Sequence, residues 1–189
     1  ALAGLGARVT SIDISERQLQ VASERAGILG LDIRFIRADA ADLGQIGDDC
    51  FDLACSTNGF FVWIADRVAV FREICRVLRP GGHYVSYDVH PFQRPWKNQV
   101  SSIEMGKSYF ETGPFRTEDA EGECYEFNWT LADLLNPLAD SGLVLRRIFE
   151  SPAKDSRVWQ DYSYLPGTDA SLLDWKKNPR AGLPVWLTV

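Results

Sequence analysis

Val77-Leu78-Arg79-Pro80-Gly81-Gly82-His83-Tyr84-Val85-Ser86-Tyr87-Asp88 reads as the end of a helix, a tight break and then a strand. Just upstream, Asp66 can cap a helix in which Val70, Phe71, Ile74, Val77 and Leu78 recur at helical spacing. Pro80 has no N–H to give and biases Arg79 away from helical angles, so the helix ends there. Gly81 and Gly82 supply the positive-φ freedom of the turn, and residues 84–89 follow as a β-branched and aromatic strand. Helix, break and strand make half of a parallel crossover unit.

Working outward, the N-terminal side repeats the pattern. Residues 1–7 resemble the last turns of a helix, with Gly6 just past its end. A strand is expected over 8–14. Ser15 and Gln18 then stand at capping-box spacing, and Leu19, Ala22, Ala26 and Leu29 make an apolar face that Gly30 ends. Further strands are expected over 33–37 and 51–56. On the C-terminal side, residues 91–123 are rich in Gly, Pro and charge with Tyr109, Phe110 and Phe115 interspersed, so they read as an irregular connection. Residues 124–129 look extended. Thr130 can cap a helix with Leu131, Leu134, Leu135 and Leu138 on one face, closing at Gly142. Strands are expected over 143–150 and 185–189, separated by a second long connection, 151–182, that holds Trp159, Tyr162, Tyr164 and Trp175. Connections of such length in a compact domain are usually lids or binding loops.

This order indicates an α/β fold, a doubly wound and mostly parallel sheet closed by an antiparallel hairpin. In such a sheet, ligands sit at the carboxyl ends of the strands near the switch in strand order. Asp13, at the end of a strand, can accept both ribose hydroxyls of a nucleotide there, or merely decorate the strand end. Asp39 follows the next strand in Arg37-Ala38-Asp39-Ala40-Ala41-Asp42, one strand–helix–strand unit later. Ser56, Thr57 and Asn58 follow the third, with Phe60 and Phe61 either covering a ligand or belonging to the core.

Composition narrows the partners. The net charge of −6 argues against a general nucleic-acid or anionic-membrane surface. No apolar run approaches the roughly 20 residues that span a bilayer. Cys50, Cys55, Cys75 and Cys124 form no C-x-x-C pair, and with His83 and His90 as the only histidines no metal site is expected. Buried, reduced thiols in a cytoplasmic protein are the expectation.

Leu78-Arg79-Pro80-Gly81-Gly82 resembles a signature of the class I S-adenosylmethionine-dependent methyltransferases, and the stretch 127–143 is similar to their small-molecule branch, which includes quinone-ring methyltransferases. The resemblance spans nearly the whole chain and implies a Rossmann-like domain over 1–189 with lids at 91–123 and 151–182. It implies S-adenosylmethionine as cofactor, with Asp13 on the ribose, Ile14 beside it, Asp39 on the adenine amine, Ala40 giving a backbone N–H, and Ser56, Thr57 and Asn58 along the methionine part. It departs at one place: the Gly-x-Gly cofactor loop and the strand before it, which should precede Ala1, are not here. By that reading the chain enters the fold late and would be inactive as given. No Asn/Asp-Pro-Pro-aromatic or Pro-Cys stretch follows the third strand, so a nucleobase acceptor loses ground to a small molecule. His90 stands where a general base could act on that acceptor, or could fix the turn before Pro91. The competing functions are a nicotinamide-dependent oxidoreductase, which Asp13 would serve equally well but which lacks a Tyr-x-x-x-Lys pair, and a methyltransferase-like binding module without catalysis.

Overall fold

A computed structural model of the protein describes residues 1–97, 102–119, 122–159 and 169–189. Strand β1 (Val9–Asp13), helix α1 (Glu16–Ile28) and strand β2 (Ile33–Arg37) form a parallel crossover unit, with Val9 paired to Ile33 and Asp13 to Arg37. Ser15 caps α1, accepting from Gln18 N–H at 3.3 Å. Ala26 is buried on the apolar face, while Leu29, placed on that face by its spacing, is exposed.

Strand β3 (Phe51–Ser56), helix α2 (Arg67–Val77) and strand β4 (Leu78–Val89) form the second parallel unit. Asp66 caps α2, accepting from Ala69 N–H at 2.9 Å, and Val70, Phe71, Ile74 and Val77 are buried as their spacing requires. The strand starts earlier than residue 84, because Leu78 already pairs with Phe51. The next pair is Leu53 with His83, so Arg79, Pro80, Gly81 and Gly82 bulge out opposite Asp52 alone. Gly81 has φ +83°, and a Cβ on Gly82 would lie 2.9 Å from Arg79 O and 3.2 Å from Leu78 Cδ2. The break is therefore a bulge inside the ladder, and each glycine answers a different constraint there.

An antiparallel hairpin of β5 (Phe115–Asp119) and β6 (Gly122–Glu126) lies inside the stretch expected to be irregular. Helix α3 (Leu131–Asp140) follows, with a complete capping box between Thr130 and Asp133. Strand β7 (Phe149–Ser151) is shorter than the expected 143–150, and β8 (Trp186–Thr188) pairs antiparallel with both β4 and β7. As an edge strand, β7 can be no longer than the three residues of its partner. Val144, Leu145 and Ile148 consequently lie exposed with no ladder.

The strand order is β1-β2 in one sheet and β3-β4-β8-β7 in another. Strands β1 and β3 are not hydrogen-bonded to each other. The two units are joined by packing: Ile36, Leu43, Ile46 and Val77 form one cluster with Ile12 and Phe51 at its margin. Arg76 ties the intervening turn to α2 by hydrogen bonds to Leu43 O, Ile46 O, Asp48 and Glu73. The main core lies between one face of the four-stranded sheet and helices α2 and α3, where Val70, Phe71, Ile74, Leu134, Leu138 and Leu187 meet. Alternation along β4 turns Ser86 and Asp88 toward that side and leaves Val85 and Tyr87 exposed on the other. Cys55 is exposed on that same open face and Cys50 in the turn before β3, which corrects the expectation of buried thiols; all four cysteines are free. Among the described residues, no helix is long and apolar enough to cross a membrane.

Candidate functional site

Asp13 and Arg37 end their strands as ladder partners, and Ala38 N–H donates to Asp13 O at 3.2 Å. The turn that leaves β2 thus begins beside Asp13 and carries Asp39 along the same edge. Each carboxylate is fixed by its own turn: Asp13 Oδ1 accepts from Ser15 N–H and Asp39 Oδ1 from Ala41 N–H, both at 2.8 Å. Among the described residues the second oxygen of each has no hydrogen-bond partner, nor has Ala40 N–H. Ile14, beside Asp13, is 64% exposed. Two free carboxylate oxygens, one free N–H and an apolar side chain therefore share one edge. An adenosine presents the complementary set: vicinal hydroxyls, an exocyclic amine, an acceptor ring nitrogen and a ring face.

Ser56, Thr57 and Asn58 leave the carboxyl end of β3. Ser56 Oγ lies 2.6 Å from Tyr84 OH, a phenol whose pKa burial pushes above its ordinary value. Thr57 and Asn58 are exposed. The residue that holds their loop in place is one for which the sequence reading proposed no role. Asp88, only 6% exposed, accepts from Gly59 N–H at 2.9 Å and Val89 N–H at 2.7 Å through Oδ1, and from Phe61 N–H at 3.2 Å through Oδ2. A carboxylate at the strand end, on the buried side of the alternation, was the available signal.

Beside Asp88 opens a shallow, solvent-open cleft, lined among others by Phe61, Val62, Arg94, Phe127 and Trp129. Phe127 and Trp129 stack at 4.9 Å with their planes 7° apart, and the Arg67 guanidinium lies 3.3 Å from the Trp129 ring centre. Trp129 Nε1–H donates to Ile64 O at 3.0 Å, and burial holds the Arg67 pKa below its ordinary value. Phe61 belongs to the main core as well as lining this cleft.

His90 caps the short 3-10 turn Pro91–Gln93, its Nδ1 accepting from Phe92 N–H at 3.1 Å. Its Nε2 lies 2.8 Å from Glu150 Oε1 without the alignment of a hydrogen bond. The ring is 5% exposed, and burial lowers its pKa against the opposing pull of Glu150. The 91–97 segment is bound to the second long connection, since Arg180 donates to Lys97 O and Gln93 Oε1, and Gln93 donates to Pro184 O. Trp159 is buried there beside Ala153 and Val185, and Trp175 is exposed; Tyr162 and Tyr164 lie outside the described residues. Among the described residues, no three His, Cys, Asp or Glu side chains come together as a metal site.

Known proteins share this architecture. A solved S-adenosylmethionine-dependent methyltransferase from Mesorhizobium loti superposes with a TM-score of 0.66 at 22% identity, over 96% of this chain and 78% of its own. The chain has the class I methyltransferase fold. Residues 1–86 also match the family model described as a methyltransferase domain. Two curated methyltransferases are similar over 86 residues each. Methyltransferase GfsG from Streptomyces halstedii is 40% identical over 44% of this chain and 30% of its own length. A demethylmenaquinone methyltransferase from Thermus thermophilus is 36% identical over 46% of this chain and 38% of its own. The match thus spans about a third of the length of these curated relatives. In the methyltransferase fold the matched part, residues 1–86, carries Asp13, Asp39 and Ser56–Asn58, while the cleft draws its aromatic wall from beyond it.

Proposed function

We propose that the protein binds S-adenosylmethionine and transfers its methyl group to a small-molecule acceptor. The observation that carries this reading is the edge at which Asp13, Asp39 and Ala40 N–H stand with free hydrogen-bonding capacity. Asp13 would accept the ribose hydroxyls and Asp39 the adenine amine, with Ala40 N–H on a ring nitrogen and Ile14 against the ring. Ser56, Thr57 and Asn58 would line the methionine part, in a loop that Asp88 holds to the end of β4. The cofactor supplies a methyl carbon already activated by its sulfonium. What the chain contributes is alignment of the acceptor and exclusion of water, for which the cleft walled by Phe127 and Trp129 is suited. The two long connections, 91–123 and 151–182, act in this reading as lids of one domain. The net charge of −6 and the apolar cleft favour a small molecule over a polynucleotide. Free thiols fit a cytoplasmic setting.

His90 has Nδ1 occupied by Phe92 N–H and Nε2 facing Glu150, which supports a role in fixing the turn beside the cleft rather than in taking a proton. The binding test is calorimetric titration of the full-length protein with S-adenosylhomocysteine. Asp13→Ala should weaken binding by roughly 10- to 150-fold, the range of a lost charge-assisted hydrogen bond. Equal affinities for wild type and variant would remove Asp13 from the site.

A further inference from the structure

We propose that the acceptor carries an anionic group, a carboxylate or phosphate, which Arg94 binds while the body of the acceptor lies against the stacked Phe127 and Trp129. This rests on the methyl-transfer reading and names the substrate class of its acceptor cleft. Arg94 borders the cleft, half-buried, directly after the turn Pro91–Gln93. Among the described residues no carboxylate lies within ion-pair distance of its guanidinium, and no hydrogen bond from that group is made. A planar guanidinium fork left without a counter-charge suits a carboxylate or phosphate.

Neighbouring charges do not answer it. Asp88, the acid that also lines the cleft, has both oxygens engaged by the backbone N–H groups of Gly59, Phe61 and Val89. Glu111 and Glu126 are the acids that act on Lys107, whose Nζ sits 3.8 Å from the Phe115 ring centre and donates to Glu111 O at 3.3 Å. Burial, joined by the repulsion of Arg94, lowers the Lys107 pKa, so the two cations share a neighbourhood. Among the described residues the cleft thus pairs an apolar aromatic wall with an unanswered positive charge, a combination that selects a planar or hydrophobic acid over its neutral analogue.

The probes are 2-naphthoate and its neutral isostere 2-naphthamide, titrated calorimetrically into the full-length protein with and without saturating S-adenosylhomocysteine. The wild type should bind the carboxylate at least tenfold more tightly than the amide. Arg94→Gln should bring that ratio to within about threefold, and Arg94→Lys should keep part of it. Thermal unfolding of each variant separates misfolding from lost recognition. A ratio near one in the wild type, an unchanged ratio in Arg94→Gln, or no naphthoate binding at millimolar concentration overturns the proposal. So does a loss of S-adenosylhomocysteine affinity in Arg94→Gln, which would assign the guanidinium to the cofactor's own carboxylate. Failure of S-adenosylhomocysteine to bind the wild type would sink the methyl-transfer reading instead, and the ratio measured without it would still decide the role of Arg94.

Discussion

Replacing Asp88 by Ala should unfasten the loop after β3 from the end of β4. The carboxylate accepts three backbone N–H groups, those of Gly59, Val89 and Phe61, from a position only 6% exposed. Phe61 is itself buried, so its N–H has no water to turn to, and an orphaned buried donor costs about 1–3 kcal/mol. Gly59 and Val89 are half-buried and can be partly rehydrated, adding roughly 0.5–1 kcal/mol each. The total is about 2–5 kcal/mol for Asp88→Ala. Asp88→Asn should cost less, roughly 1–2 kcal/mol, because the side-chain oxygen keeps two donors while the amide opposes only Phe61 N–H. Urea unfolding followed by tryptophan fluorescence reads both variants. With a slope of about 1–3 kcal/mol per molar, the alanine midpoint should fall by about 1 M or more. S-adenosylhomocysteine affinity should fall with it, since Thr57 and Asn58 ride on the freed loop. A cost for Asp88→Ala under about 1 kcal/mol, or an Asn variant less stable than the Ala one, would refute this account.

His90→Gln should change turnover by less than about threefold, well below the 10²–10⁴-fold of a general base, so a loss in that larger range would restore the catalytic reading. The same residue sets a pH dependence. Burial depresses its folded pKa, so the unfolded chain binds the proton more readily, and stability should fall as pH drops through the ordinary histidine value near 6.5 toward the folded one. The stability offset between wild type and His90→Gln should be constant well above pH 6.5 and shrink as pH falls below it; an offset that does not change with pH would contradict the assignment. Gly82→Ala should destabilise the fold by about 1–3 kcal/mol, because its Cβ would meet backbone oxygens in the bulge, and unchanged urea unfolding would show that the bulge can relax.

Much of this fold was legible because the decisive signals are local. Proline, glycine and capping residues act within a turn or two of themselves, so the helix beginning after Asp66, the capping box at Thr130 and the strands ending at Asp13 and Arg37 could be placed from the sequence. Asp13 and Asp39 were legible as a pair for the same reason, since one crossover unit fixes both at the carboxyl ends of adjacent strands. Tertiary structure decided what depends on partners distant in sequence. Residues 143–148, with Leu143, Val144, Leu145 and Ile148, read as a strand, yet a strand exists only where another offers a ladder, and β8 offers three residues. The Pro-Gly-Gly break became a bulge because Leu78 found Phe51 before the glycines, not after them. Asp88 gained its role, Arg94 its place beside the cleft and His90 its bond from Phe92 N–H only once the loops beyond β3 and β4 had folded against them. Burial and the partners of a charge are sums over everything packed nearby, and no single stretch of sequence contains that sum.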